Sequence, residues 1–246
     1  MSEKNPISRR TLIAGAIATA TSSLPWLSAS AEAEVTDIQH GPRSIAKVAL
    51  TFHGAGDDAI NRSLLRICTE QKLPITVFAV GSWLESSPTI AKSFYESGCE
   101  IGNHTLHHKP MKTLSYSEAL KEISGGADAI KKLFGTTGVG FRPSGTQFST
   151  ATIRKAALKA GYKSIISYDV DSHDYQDPQV KTIIKNITAG VKPGSIVSLH
   201  LGHKNTVEAL PGILKVLEEK KLKPVHISEL IQRSEEHTSE LQSPDH

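Results

Sequence analysis

Short apolar runs alternate along the chain with stretches in which apolar residues recur every three to four positions. Lys47-Val-Ala-Leu-Thr-Phe-His53 and Ile75-Thr-Val-Phe-Ala-Val80 read as strands. Between them, Asp58 to Glu70 sets Ile60, Leu64, Leu65 and Cys68 on one helical face. Pro88 opens a helix that Gly98 stops, and Glu100 to His104 predicts a third strand. Ser115 and Glu118 are spaced as a capping box for a long helix to Leu133. Further strands are predicted at Gly140–Pro143, Ser164–Val170, Ser195–Leu201 and Pro224–Ile227. Helices are predicted at Thr150–Ala160, Pro178–Ala189, Thr206–Lys220 and Ser228–Ile231. This alternation predicts βαβ units and a parallel sheet. Seven or eight repeats of it predict an α/β fold of the distorted (β/α)7–8 barrel kind. Barrel function sits where strands end and loops begin, and there fall His53, His104, Arg142, Asp171, Asp174 and His200.

The two ends do not share this pattern. Residues 1–33 are expected to be an export signal: Pro6-Ile7-Ser8-Arg9-Arg10-Thr11-Leu12-Ile13 resembles the twin-arginine motif. A short apolar stretch and the small residues of Ala29-Ser30-Ala31 and Ala31-Glu32-Ala33 follow. That stretch is too short to span a bilayer, which takes roughly 20 apolar residues. The mature protein is therefore expected outside the cytoplasm, secreted or in the cell envelope, with no membrane span. Residues 233–246 read as a translated sequencing adapter and are expected to lie outside the native fold, with His237 and His246. One domain is expected over 34–232, and it is expected to be monomeric.

That span carries 24 basic and 19 acidic side chains, a mild excess without runs, which does not indicate nucleic acid. Cys68 and Cys99 read as plain buried small residues rather than a disulfide pair.

Candidate chemistry concentrates in four places. In Asn103-His104-Thr105-Leu106-His107-His108, His104 and His108 are four apart, so one turn of helix would face both imidazoles to one divalent metal. His107 between them reads as structural. In His53-Gly54-Ala55-Gly56-Asp57-Asp58, Asp58 is expected to cap the following helix, leaving Asp57 free as an oxygen donor. Tyr168-Asp169-Val170-Asp171-Ser172-His173-Asp174-Tyr175 offers carboxylates. Ile196-Val-Ser-Leu-His200 delivers a histidine at a strand tip, a general-acid candidate with Asp174 holding its second nitrogen.

In this order the segments resemble the polysaccharide deacetylase family (NodB-like, carbohydrate esterase family 4). The family's pattern runs Thr-Phe-Asp-Asp-Gly, His-Ser/Thr-x-x-His, Arg-x-Pro-Tyr-Gly, Asp-x-x-Asp-Trp and an apolar strand ending in His. Here stand Thr51-Phe52-His53-Gly54, His104-Thr105-Leu106-His107-His108, Arg142-Pro143-Ser144-Gly145, Asp171-Ser172-His173-Asp174-Tyr175 and Leu199-His200. The resemblance covers the whole core. It implies metal-assisted hydrolysis of an N-acetyl group on a chitin- or peptidoglycan-like glycan, with a divalent ion, Zn²⁺, on His104 and His108. It implies His200, oriented by Asp174, as the acid towards the leaving amine, and the backbone near Gly145 as oxyanion donor. His53 and Gly54 stand where the family has its base and its metal carboxylate. Asp57 is therefore expected as third ligand, His53 or Asp57 as base and Arg142 as the residue steadying the base, with His203 close by. Trp83, Phe148 and Tyr175 are the expected sugar-stacking rings. The alternatives are a non-catalytic metal- or glycan-binding protein on this scaffold, or a hydrolase of another amide or ester.

Overall fold

The computed structural model describes residues 35–232; the expected export signal at 1–33 and the expected non-native tail at 233–246 lie outside the described residues. The elements are β1 (Asp37–Ile38), β2 (Lys47–Gly54), α1 (Asp58–Glu70), β3 (Thr76–Ala79), α2 (Gly81–Ser86), α3 (Pro88–Glu96) and β4 (Glu100–Asn103). They continue with α4 (Tyr116–Phe134), α5 (Ala151–Lys159), β5 (Ile165–Ile166), β6 (Val170–Asp171), α6 (Val180–Gly190), β7 (Ile196–His200), α7 (Lys204–Glu219) and β8 (Lys223–Val225). Residues 227–232 are helical.

The strands pair in parallel in the order β4-β3-β2-β7-β6, with β8 beside the start of β2. Single parallel bridges, Asn103 to Phe141 and Phe141 to Ile165, carry the curve on to the β1–β5 pair. The α/β class and parallel sheet stand as expected. The expected strand at Gly140–Pro143 shrinks to a bridge. The one at Ser164–Val170 breaks in two, its first half pairing with β1 and its second with β7, while the Asp169 carboxylate between them binds Arg43, Ser195 and the Ile196 amide.

Period-two alternation divides each strand between two cores. Val48, Leu50 and Phe52 of β2, Val77 and Ala79 of β3, and Val197 and Leu199 of β7 pack outward under the helices. Ala49, Phe78, Ile196 and Val225 fill the inside with Ile227, Leu230 and Ile231. Burying a side chain such as Leu50 or Phe52 contributes about 1.5–3 kcal/mol. Above that apolar floor the inward positions turn polar: Thr51 and Ser198 lie side by side, and one pleat higher His53 and His200 do. No helix among the described residues is long and apolar enough to cross a membrane.

Candidate active site

Strand register makes the first contact of the site. β2 and β7 pair His53 with His200, and their rings stack with centroids 4.3 Å apart and planes at 10°. His200 is held from behind by Asp174, fully buried in the turn after β6. Its Oδ1 accepts from His200 Nδ1 at 2.7 Å, and its Oδ2 from the His200 amide and the Thr206 hydroxyl. Burial pushes the Asp174 carboxyl up, but the hydrogen bonds and charge of His200 and the Thr206 bond outweigh it and hold it below the usual carboxylate range. Thr206, in the first turn of α7, was not singled out in the sequence.

The His104–His108 segment is a loop, not the helical turn its spacing suggested. Thr105 and His108 both have positive φ, 70° and 57°. The loop is fixed at its start by buried Asn103, whose Oδ1 takes the Thr105 amide and whose Nδ2 donates to Ile123 O and Tyr162 Oη. Helix α4 passes so close that a Cβ at Gly126 would collide with Asn103 Oδ1 and the Thr105 backbone. The bent loop still brings the two rings together, 4.9 Å apart. His107 turns aside to Glu122, which binds its amide and its ring.

His104, fully buried, donates Nδ1–H to the Arg142 carbonyl at 2.8 Å, which leaves a lone pair on Nε2. That lone pair meets His53 Nδ1 at 2.9 Å. His53 Nε2 lies 3.0 Å from Ser198 Oγ and 3.5 Å from Arg142 Nη1. Burial first, then the neighbouring positive charges, lowers the pKa of both rings well below the ordinary histidine value; for His104 the Arg142 carbonyl partly opposes this. Burial, followed by His200, also lowers His108. Arg142 is 1% exposed and donates to the carbonyls of Ile166 and Ser167. Its guanidinium sits 4.2 Å above the Phe78 ring, and burial pulls its pKa down to about 9. It joins no carboxylate among the described residues, in keeping with a histidine at position 53.

Two expectations are corrected. Asp57, not Asp58, caps α1: its Oδ1 accepts the Ala59 and Ile60 amides at 2.8 and 3.0 Å, and Asp58 is the first helical residue. Exposed Asp57 lines neither cleft described below, and no three His, Cys, Asp or Glu side chains among the described residues are grouped to hold a metal. Trp83 is not a surface ring; it is buried in the outer core. Gly54 carries a further constraint: a Cβ there would stand 2.7 Å from Val77 Cγ1, 2.9 Å from Ala79 Cα and 3.0 Å from Phe78 O. The place of the second carboxylate in the resembled motif is therefore closed by the neighbouring strand.

An open cleft of about 450 Å³ lies over this cluster, lined by His53, His108, Gly145, Tyr168, Tyr175 and His200 among others. A smaller one beside it reaches His104 and His203. Tyr175 is exposed, 5.3 Å from the His200 ring, whereas Phe148 is exposed outside the cleft lining. Tyr168, at the start of the carboxylate-bearing segment and without an expected role of its own, lies edge-on to His53 at 6.2 Å. His203 binds Asp177 and lies 6.0 Å from His200. Cys68 and Cys99 are free and buried, far from the usual reactive range: burial pushes the first up to about 12 and the second to about 11.

Comparison with known proteins is consistent with this arrangement. The polysaccharide deacetylase family model matches residues 40–165. A peptidoglycan-N-acetylglucosamine deacetylase of Bacillus cereus is 30% identical over 194 residues, covering 77% of this chain and 90% of the relative. The solved structure of a peptidoglycan N-acetylglucosamine deacetylase bound to an N-oxidanyl-benzamide compound superposes with a TM-score of 0.74 at 26% identity, covering 80% of this chain and 94% of that one. A pseudoenzyme of carbohydrate esterase family 4 from Bacillus anthracis superposes with a TM-score of 0.73 at 26% identity, covering 79% and 68%.

Proposed function

The chain belongs to the polysaccharide deacetylase family, and from that premise we propose that it removes N-acetyl groups from an amino-sugar polymer of the peptidoglycan or chitin kind by metal-assisted hydrolysis. The observation that carries this reading is the meeting of His104, His108 and the Asp174-held His200 at one open cleft. The donors suit a divalent ion such as Zn²⁺. His104 has its Nδ1–H tied to a backbone carbonyl, the usual outer support of a metal-binding imidazole. Such an ion, when bound, supplies an acidified water and polarises a carbonyl.

The remaining work falls to the chain itself. With Nδ1–H given to Asp174, His200 presents a basic Nε2 to the cleft, able to take a proton from the attacking water and return it to the leaving amine. The Gly145 backbone on the cleft wall is the candidate oxyanion donor. Tyr175 and Tyr168 offer ring faces and edges to the sugar. The twin-arginine pattern in residues 1–33 supports action outside the cytoplasm.

A second reading has its own support. Neither carboxylate of the resembled Thr-Phe-Asp-Asp-Gly motif is present, position 54 has no room for one, and a pseudoenzyme is among the similar structures. On that reading the cleft binds glycan without cleaving it. Acetate release from chitin oligomers and from peptidoglycan, with metal removed and restored, separates the two. Metal-dependent release supports hydrolysis; glycan binding with no release at any metal supports the second reading.

A further inference from the structure

We propose that His53 takes the place of the missing carboxylate as third protein ligand of the ion, binding through Nδ1. This rests on the reading that His104 and His108 hold an ion. Three observations lead to it.

The first is spacing. His53 Nδ1 and His104 Nε2 are 2.9 Å apart. Two nitrogens bound to one zinc at about 2.0–2.1 Å stand roughly 2.9 Å apart at a right angle and roughly 3.4 Å apart in a tetrahedron. The pair needs to open by no more than about half an ångström to share an ion.

The second is the support behind the ring. The Arg142 carbonyl holds the proton of His104 on Nδ1, so without an ion His53 must carry its own proton on Nδ1 to meet the His104 lone pair. Moving that proton to Nε2 frees Nδ1, and Ser198 Oγ stands 3.0 Å from Nε2 to accept it. Both ligands then have an outer partner, and His53 stays neutral throughout. Arg142 keeps its bonds to the Ile166 and Ser167 carbonyls and gives up only the 3.5 Å contact of Nη1 with His53 Nε2.

The third is that the nearby carboxylates have other work. Asp57 caps α1, Asp174 holds His200 and Thr206, and Asp171 takes the His173 amide. Position 54 admits no side chain without moving β3. The three imidazoles do not converge as they stand. His108, exposed on its loop, is the member able to turn in.

The test counts ligands on the intact protein. X-ray absorption of the zinc-loaded wild type should give three imidazoles, falling to two in His53→Ala, and chelator competition should show the affinity of that variant weakened by roughly tenfold or more. Ser198→Ala should weaken it less. His104→Ala is the control on the underlying reading: unchanged affinity there means that the ion is not at this site at all. If His104→Ala loses the ion while His53→Ala binds as tightly as wild type, or if the wild type shows two imidazoles, the assignment of His53 is overturned and the pair stands. Should His53→Ala fail to fold, the wild-type count decides.

Discussion

Acid should weaken the metal-free fold well before its carboxylates titrate. His53 and His104 bind protons only far below the ordinary histidine range, because burial and neighbouring positive charge oppose the imidazolium. In the unfolded chain both would titrate near 6.5. Below that pH the unfolded state binds more protons than the folded state, so stability is complete above about 6.5 and declines as pH falls. Between pH 7.5 and 5.5 each ring that stays neutral in the fold costs about 1.4 kcal/mol, so the two together cost ~3 kcal/mol. For a domain of this size that is a fall in Tm of roughly 6–12 °C. Asp174 acts in a separate window: its depressed pKa gives stability that is present above about 3.9 and lost only below it. Urea unfolding of chelator-treated protein at half-unit steps of pH reads both windows. A midpoint constant from pH 7.5 down to 5.5 would refute the neutral-imidazole cluster.

Gly54→Ala should destabilise by about 1–3 kcal/mol, the usual cost of overpacking, because its Cβ meets the β3 backbone; thermal melting matching wild type would contradict that packing. Asp174→Asn should keep the fold but lower the rate of acetate release by roughly 10⁴-fold, the scale seen when a catalytic histidine loses its orienting carboxylate; a wild-type rate would remove His200 from proton transfer. Cys68 and Cys99 should resist a thiol reagent at pH 8 in the folded protein and react after denaturation, since both are buried with pKa values of about 12 and about 11.

Local periodicity was enough to find most helices and the central strands, since each of those signals lies within a dozen residues. Contacts set by pairing were not legible in that way. Nothing near His53 names His200 as its neighbour; the match comes from the β2–β7 register. The His104–His108 pair was found through helical spacing, yet it is made by a loop with two left-handed residues, fixed by the adjacent Asn103 through its distant partners Ile123 and Tyr162 and by the close approach of Gly126. The Asp57–Asp58 choice turned on one residue of phase, which only the backbone angles at Asp57 resolve. Trp83 was misplaced because no element was expected between Val80 and Pro88, where the short α2 turns it inward. Tyr168 was given no role because the predicted strand covered it, whereas it lies in the break between β5 and β6.

The closed space beside Gly54 also bears on descent. If an ancestor carried carboxylates at positions 53 and 54, the exchange is not undone by reversing two codons, since β3 now lies against the glycine. Val77 and the backbone at Phe78 and Ala79 would have to yield first, and those residues also build the outer and inner cores. Reversion thus passes through a less stable intermediate, and that valley shields the imidazole cluster from drifting back to the ancestral pattern. A laboratory attempt to reinstall the carboxylates faces the same order of events, with room made in β3 before the acid is introduced.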